Sequence, residues 1–261
     1  MEKRKVIYYS DELNDEFSTF KTEPPFIDGS YKYIDDSLSK RISGFIIYRL
    51  IMYPIAFLYS KLVFRRKIVG KEKLRPYKKT GIFLYGNHTQ PVGDAFMQSC
   101  LTYPRKNYVI VHPNNLKVPV IGRFTPLLGA LPLPDGMAAY KNFREAINCR
   151  INGGSPVVIY PEAHIWPYYT RIRPFPDTSF TYPAELDAPC FCFVNTYKKR
   201  KLFKRPKIVT YIDGPFFPDK SIDKRKRRDA LRNAVYQSMT ALSKHSDAEY
   251  IKYIKREETD G

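Results

Sequence analysis

Apolar runs and polar punctuation alternate along most of the chain. GIFLYGNH (81–88), YVIVHP (108–113), PVVIYPEAH (156–164), CFCFVNTY (190–197) and KIVTYIDGP (207–215) are short apolar runs ending in polar or turn-forming residues. Such runs predict buried strands. Between the second and third, Met137, Tyr140, Phe143, Ile147 and Ile151 recur at helical spacing, ahead of the stop signal Gly153-Gly154. Ala230, Leu231, Ala234, Val235 and Leu242 mark a closing helix over 221–244. Strands alternating with helices predict an α/β domain, with a central mixed, mostly parallel sheet flanked by helices. No repeat with a period of about 20–50 residues is present, which excludes a solenoid.

The most apolar stretch, ISGFIIYRLIMYPIAFLYSKLVF (42–64), is long enough to span a bilayer but is interrupted by Arg49, Pro54 and Lys61. Pro54 is expected to kink or split it. Three readings stand: two helices packed on the core, a helix lying in a lipid interface and anchored by Arg65, Arg66 and Lys67, or a true span. The expected organisation is an N-terminal extension (1–40), a helical membrane-associating segment (41–67), a catalytic domain (68–245) and a C-terminal tail (246–261). The extension carries turn signals at Pro24-Pro25 and Asp28-Gly29 and is expected to wrap the main domain.

Lys and Arg outnumber Asp and Glu by 44 to 26, which favours anionic partners such as a lipid surface, nucleic acid, an acidic carrier or coenzyme phosphates. The 21 Tyr suit surfaces that are half apolar and half wet. Cys100, Cys149, Cys190 and Cys192 form no C-x2-C pair, so neither a structural zinc site nor a disulfide framework is expected. The acidic residues of MEKRKVIYYSDELNDEF do not fit a signal peptide, and a reducing compartment follows.

Two strands end in polar clusters. The first leads into Asn87-His88-Thr89-Gln90-Pro91-Val92-Gly93-Asp94, where Asp94 can fold back to orient the His88 imidazole. Gly93 is expected to give this loop its freedom to turn. The second leads into Tyr160-Pro161-Glu162-Ala163-His164 and the Tyr- and Arg-rich tail Trp166-Pro167-Tyr168-Tyr169-Thr170-Arg171-Ile172-Arg173. Ligands of open α/β sheets bind beyond the carboxyl ends of strands. If both strands end at one edge, His88, Asp94, Glu162 and His164 converge there.

These blocks, in this order, resemble the glycerolipid acyltransferases of the PlsC-like (1-acyl-sn-glycerol-3-phosphate acyltransferase) superfamily. Asn87-His88…Asp94 is similar to that family's first block, and Tyr160-Pro161-Glu162 to its third. The second is matched by Pro119-Val120-Ile121-Gly122 through Leu128-Gly129-Ala130-Leu131-Pro132. The resemblance runs from about residue 40 to 245. It has departures: five residues rather than four separate His88 from Asp94, and Asp135 stands where the second block often has Arg. In the third block, Ala163 replaces Gly and His164-Ile165 replace Thr-Arg.

The resemblance implies transfer of a fatty acyl group to a hydroxyl of a lysophospholipid-like acceptor, with His88 as general base and Asp94 as its partner. Acyl-CoA, acyl carrier protein or acyl phosphate would be the co-substrate, and no cofactor or metal is implied. Asn87, Glu162, His164, Tyr168, Arg171 and Arg173 are the expected substrate contacts. Arg171 and Arg173, with Arg123 as a weaker candidate, would hold an acceptor phosphate, and Glu162 would order its loop or touch the acceptor. Backbone N–H groups near Glu162 or Gly129 are candidates for stabilising the oxyanion. The implied location is the cytoplasmic face of a membrane, peripheral or monotopic, with an anionic surface, a lysolipid and an acyl carrier protein as partners. The basic tracts KKRKLFKRPK (198–207) and KRKRR (224–228) fit that surface.

Three rival readings are a metal-dependent hydrolase using His88, Asp94, Glu162 and His164 as ligands, a basic nucleic-acid binder, and a family member without activity. No recognised nucleic-acid module appears, and no nucleic-acid partner is expected.

Overall fold

The computed structural model describes residues 5–17, 23–35, 37–119 and 121–256. Residues 1–4, 18–22 and 36 of the expected extension, Val120 of the second block, and residues 257–261 of the expected tail lie outside them.

The strands are β1 (Lys5–Tyr9), β2 (Lys67–Val69), β3 (Ile82–Gly86), β4 (Tyr108–Val111), β5 (Ala130–Pro132), β6 (Pro156–Ile159), β7 (Cys190–Lys198), β8 (Lys207–Phe216) and β9 (Ile251–Lys255). Seven of them form one sheet in the order β2-β8-β7-β3-β6-β4-β5. Only β7 and β8 are antiparallel, so the sheet is mixed and mostly parallel, as the apolar runs predict. Every residue of β3 and β6 is buried, which accounts for their continuous rather than alternating apolar sequence. The helices Met137–Asn152 and Lys224–Ser243 cover one core, packing Phe143, Ile147, Leu231 and Val235 against Phe83, Tyr85 and Val157. On the other face Ile82, Leu84, Val158 and Phe193 meet Leu74 and Leu101.

The sequence pattern did not reveal the second sheet. β1 pairs in parallel with β9, joining the N-terminal extension to the C-terminal tail. Trp166 sits fully buried beneath this pair, against Tyr9, Phe17 and Tyr253. Further along the extension, Ile27 and Asp135 exchange hydrogen bonds: the Ile27 amide donates to Asp135 Oδ2 at 2.7 Å, and the Asp135 amide donates to the Ile27 carbonyl at 2.8 Å. The carboxylate that replaces the expected Arg of the second block thus anchors the extension.

The apolar segment is not split at Pro54. It runs as one 25-residue helix, Leu38–Leu62, through a wide turn at Ile47–Met52 where the Tyr53 amide donates to the carbonyl of Tyr48, five residues back. Proline lacks the N–H of a regular turn and crowds the carbonyl four residues earlier; the wider turn accommodates both defects. A narrow stripe at Gly44, Tyr48, Ala56 and Ser60 is buried. Leu38, Phe45, Leu50, Ile55 and Leu62 are exposed, so the helix packs on the domain through that stripe alone and leaves its other side uncovered.

Candidate active site

β3 and β6 are parallel neighbours, so their carboxyl ends open on one edge and bring the His88 and Glu162 loops together. Asn87 continues β3 by stapling itself to β7: its Oδ1 accepts from the Asn195 amide at 2.8 Å, and its Nδ2 donates to the Asn195 carbonyl at 3.1 Å. A short turn at Gly93–Ala95 then swings Asp94 back under the loop. Gly93 does not have a left-handed backbone; a Cβ there would lie 2.5 Å from Met97 Sδ, so the buried Met97 side chain would have to shift to admit one.

His88 Nδ1 lies 3.0 Å from Asp94 Oδ2, and the same oxygen accepts from the amides of Thr89 at 2.8 Å and Gln90 at 2.9 Å. A carboxylate so placed favours the proton on Nδ1, which leaves the Nε2 lone pair available as a base. The imidazole remains 17% exposed while Asp94 is 3% exposed. Tyr160 stacks on the imidazole, with ring centroids 4.4 Å apart, and its hydroxyl donates to the Asp94 carbonyl at 2.8 Å. Burial pushes the Tyr160 phenol well above its ordinary pKa, so it stays a donor.

Glu162 joins the two loops from below. Its Oε2 accepts from the His88 amide at 2.9 Å and its Oε1 from the Arg173 amide at 2.8 Å. Burial raises the carboxyl above its usual range, opposed by the Arg173 charge and by these amides. Backbone bonds complete the joint, from the Trp166 amide to the His88 carbonyl at 3.0 Å and from the Tyr168 amide to the Thr89 carbonyl at 2.9 Å.

Several expected substrate contacts are therefore framework. Asn87 and Glu162 are buried with their polar atoms engaged, and Glu162 orders its loop. Arg173 is fully buried; it donates to the Glu12 carbonyl at 3.0 Å, to the Glu162 carbonyl at 3.1 Å and to the His164 carbonyl, and lies over the Trp166 ring. It is not placed to take a phosphate. Arg171 is exposed above Tyr169 and Arg123 above Phe124. His164 is part-exposed, with Nδ1 3.5 Å from Glu16, and Tyr168 packs half-buried on Tyr197 and Tyr250. The suggested oxyanion donors are occupied: the amides of Ala163, His164 and Gly129 donate within their own turns, to Tyr160, Glu162 and Pro126. Nor, among the described residues, are any three His, Cys, Asp or Glu placed to share a metal ion, because both Glu162 oxygens face amides.

Tyr197 and Asn195 belong to the site but do not stand out in the motifs. Thr89 Oγ1 lies 2.7 Å from the Tyr197 hydroxyl, which also accepts from Gln90 Nε2 at 2.8 Å. Their signal is present in CFCFVNTY, where polar groups sit inside an otherwise apolar strand.

Comparison with known proteins agrees with this geometry. A family model described as Acyltransferase matches residues 65–194. No curated protein matches the chain in sequence. Among solved structures, the 1-acyl-sn-glycerophosphate (LPA) acyltransferase PlsC of Thermotoga maritima shares the fold, with a TM-score of 0.57 at 16% identity over 81% of this chain and 89% of that one. The family match spans the His88–Asp94 loop, the Tyr160–Glu162 loop and the strands between them, and on it, together with the shared fold, the chain belongs to the acyltransferase family.

Proposed function

We propose that the protein transfers a fatty acyl group from a thioester or acyl phosphate to a hydroxyl of a lysophospholipid-like acceptor at a membrane surface, with His88 as general base. The observation that carries this reading is the 3.0 Å contact between His88 Nδ1 and Asp94 Oδ2, which leaves Nε2 free on a part-exposed ring at the strand edge. The acceptor hydroxyl gives its proton to Nε2 as its oxygen attacks the acyl carbonyl carbon. The tetrahedral intermediate then expels the thiolate or phosphate, and His88 returns the proton to a thiolate leaving group or, when phosphate leaves, gives it up to solvent. Asp94 holds the ring in one tautomer and stabilises the imidazolium. No G-x-S-x-G nucleophile motif is present, and direct transfer needs none.

The exposed apolar side of Leu38–Leu62 supports a membrane location, since it is long and apolar enough to cross a bilayer yet mostly uncovered. The basic tract at 198–207 supports an anionic leaflet, and acyl carrier protein or coenzyme phosphates would meet the same positive charge. The test is turnover of His88→Ala and Asp94→Ala with a lysophospholipid and acyl-CoA, acyl carrier protein or acyl phosphate as donor. Losses of ~10²–10⁴ are expected for each, with melting unchanged in His88→Ala and lowered in Asp94→Ala, which takes the acceptor from the Thr89 and Gln90 amides. Near-normal turnover in both variants would overturn the proposal.

A further inference from the structure

A buried line of donors runs from Arg66 to the back of Asp94. Arg66, just ahead of β2, is 4% exposed. The basic cluster expected to anchor the membrane segment therefore loses its middle member to the interior. Arg66 Nη1 donates to the Met97 carbonyl at 2.6 Å, and Nε donates to Thr210 Oγ1 at 2.7 Å. A hydroxyl that accepts from a guanidinium has one proton left to give. Thr210 gives it to Asn195 Oδ1, at 2.7 Å. This contact sets the Asn195 amide with its oxygen towards Thr210, so its Nδ2 faces Asp94 Oδ1, at 3.4 Å.

Fold and register bring these groups together. Asn195 and Thr210 are directly opposed across antiparallel β7 and β8, so their side chains share one face of the sheet. Asn87 grips Asn195 only through its backbone, which leaves the Asn195 side chain to the line. Burying a guanidinium opposes folding unless its charge is answered. Burial pulls Arg66 below its ordinary pKa, and neighbouring groups, Asp94 among them, act against that fall.

The Asp94 oxygens have different tasks. Oδ2 meets the His88 ring and the amides of Thr89 and Gln90. Without Asn195, Oδ1 would be a buried carboxylate oxygen lacking this donor, and the two oxygens could exchange by rotation. We propose that Asn195, Thr210 and Arg66 are positioning residues for the acyl transfer, holding Asp94 with Oδ2 aimed at His88 Nδ1. This inference rests on the function proposed above.

The test reads the His88–Asp94 bond directly, without turnover. In wild-type protein the His88 Nδ1–H proton should give a downfield resonance in the proton NMR spectrum, identified by its loss in His88→Gln. In Thr210→Val it should broaden or move upfield; in Thr210→Ser it should return. In parallel, kcat should fall roughly tenfold in Thr210→Val with KM little changed, as for one lost positioned hydrogen bond, and Thr210→Ser should restore most of it. Should Thr210→Val not fold, Asn195→Ala reads the same link, because the grip of Asn87 on the Asn195 backbone is untouched. A wild-type resonance and wild-type kcat in Thr210→Val, or in Asn195→Ala where that variant is the one used, would overturn the inference. So would equal losses in Thr210→Val and Thr210→Ser that follow melting temperature. If His88→Gln keeps normal turnover, the acyl-transfer reading fails first, and the resonance still reports whether the line positions Asp94.

Discussion

The Glu162 carboxylate holds the His88 backbone amide at 2.9 Å with one oxygen and the Arg173 amide with the other, so the side chain of the third block fixes the main chain of the first. A glutamine in its place must present an NH₂ group to one of these N–H donors. The mismatch leaves a buried amide without an acceptor, at a cost of about 1–3 kcal/mol. Glu162→Gln should therefore lower the unfolding free energy by roughly that amount, and also lower kcat, because His88 rides on the released loop. Thermal or denaturant unfolding beside steady-state turnover checks it. A variant as stable as wild type would show that these two bonds do not hold the joint.

Ala163 stands where the family pattern has glycine, and its backbone is left-handed at φ 61°. An L residue in that region carries a penalty of roughly 1–2 kcal/mol, while glycine returns part of the gain through its freer unfolded chain. Ala163 is exposed, so its methyl group gives up little packing when removed. Ala163→Gly should therefore stabilise the protein by about 0.5–1 kcal/mol, a rise of roughly 1–3 °C in Tm. A fall in Tm would mean that the methyl packs where exposure says it does not.

Lys106 gives a pH dependence whose sign is fixed. Its ammonium donates to the Leu127 carbonyl at 2.7 Å beside the Tyr108 ring, and burial, then the Arg150 charge, pull its pKa down to about 8. In the unfolded chain it titrates near ~10.4. Below pH 8 both states are charged and the destabilisation is fully present. Above it the folded lysine loses its proton first, the unfolded chain binds more protons, and stability from this site rises with pH. Relative to Lys106→Met, wild type should thus gain stability between about pH 7.5 and pH 9.5, by no more than about 1.4 kcal/mol per pH unit. Chemical denaturation of both proteins at the two pH values measures this, and a constant difference contradicts it.

How far the sequence foretells these features depends on what each residue type implies locally. The five apolar runs become β3, β4, β6, β7 and β8, most plainly β3, β6 and β7, whose burial on both faces leaves an unbroken apolar signature; the two helical periodicities become Met137–Asn152 and Lys224–Ser243, because one buried face repeats at helical spacing. β1 and β9 escape detection: each is half exposed, and each exists only through pairing with a segment over two hundred residues away. At the site, His88 and Asp94 are legible because local spacing brings them together. Arg66, Thr210 and Asn195 are not, because their contacts are set by sheet register and because Arg66 hides within a run of basic residues that reads as surface. Arg173 misleads for the converse reason. A guanidinium near a loop suggests a phosphate ligand, whereas here backbone carbonyls receive it.

The exposed side of Leu38–Leu62 sets the last expectation. Leu50 is 66% and Ile55 56% exposed, and at the helix's carboxyl end Leu62 is 73% exposed. The hairpin between β7 and β8 abuts this end: Arg200 donates to the Val63 carbonyl at 3.2 Å, and Arg65 and Arg200 both lie over the Phe203 ring. Leu202 beside it is 90% exposed. Apolar and cationic groups thus sit together, as at a surface that enters the acyl boundary while meeting anionic headgroups. Burying one such side chain contributes about 1.5 kcal/mol or more, so Leu50→Gln with Ile55→Gln should weaken vesicle binding by ~10²-fold at any salt concentration. Each cation near an anionic surface contributes about 1 kcal/mol. Lys201→Glu with Lys204→Glu should therefore weaken binding to phosphatidylserine vesicles at low salt and have little effect on neutral ones. Flotation with both vesicle types at two salt concentrations separates the terms. If the Leu50/Ile55 variant, melting as wild type does, floats with vesicles as wild type does, the helix does not form the docking face.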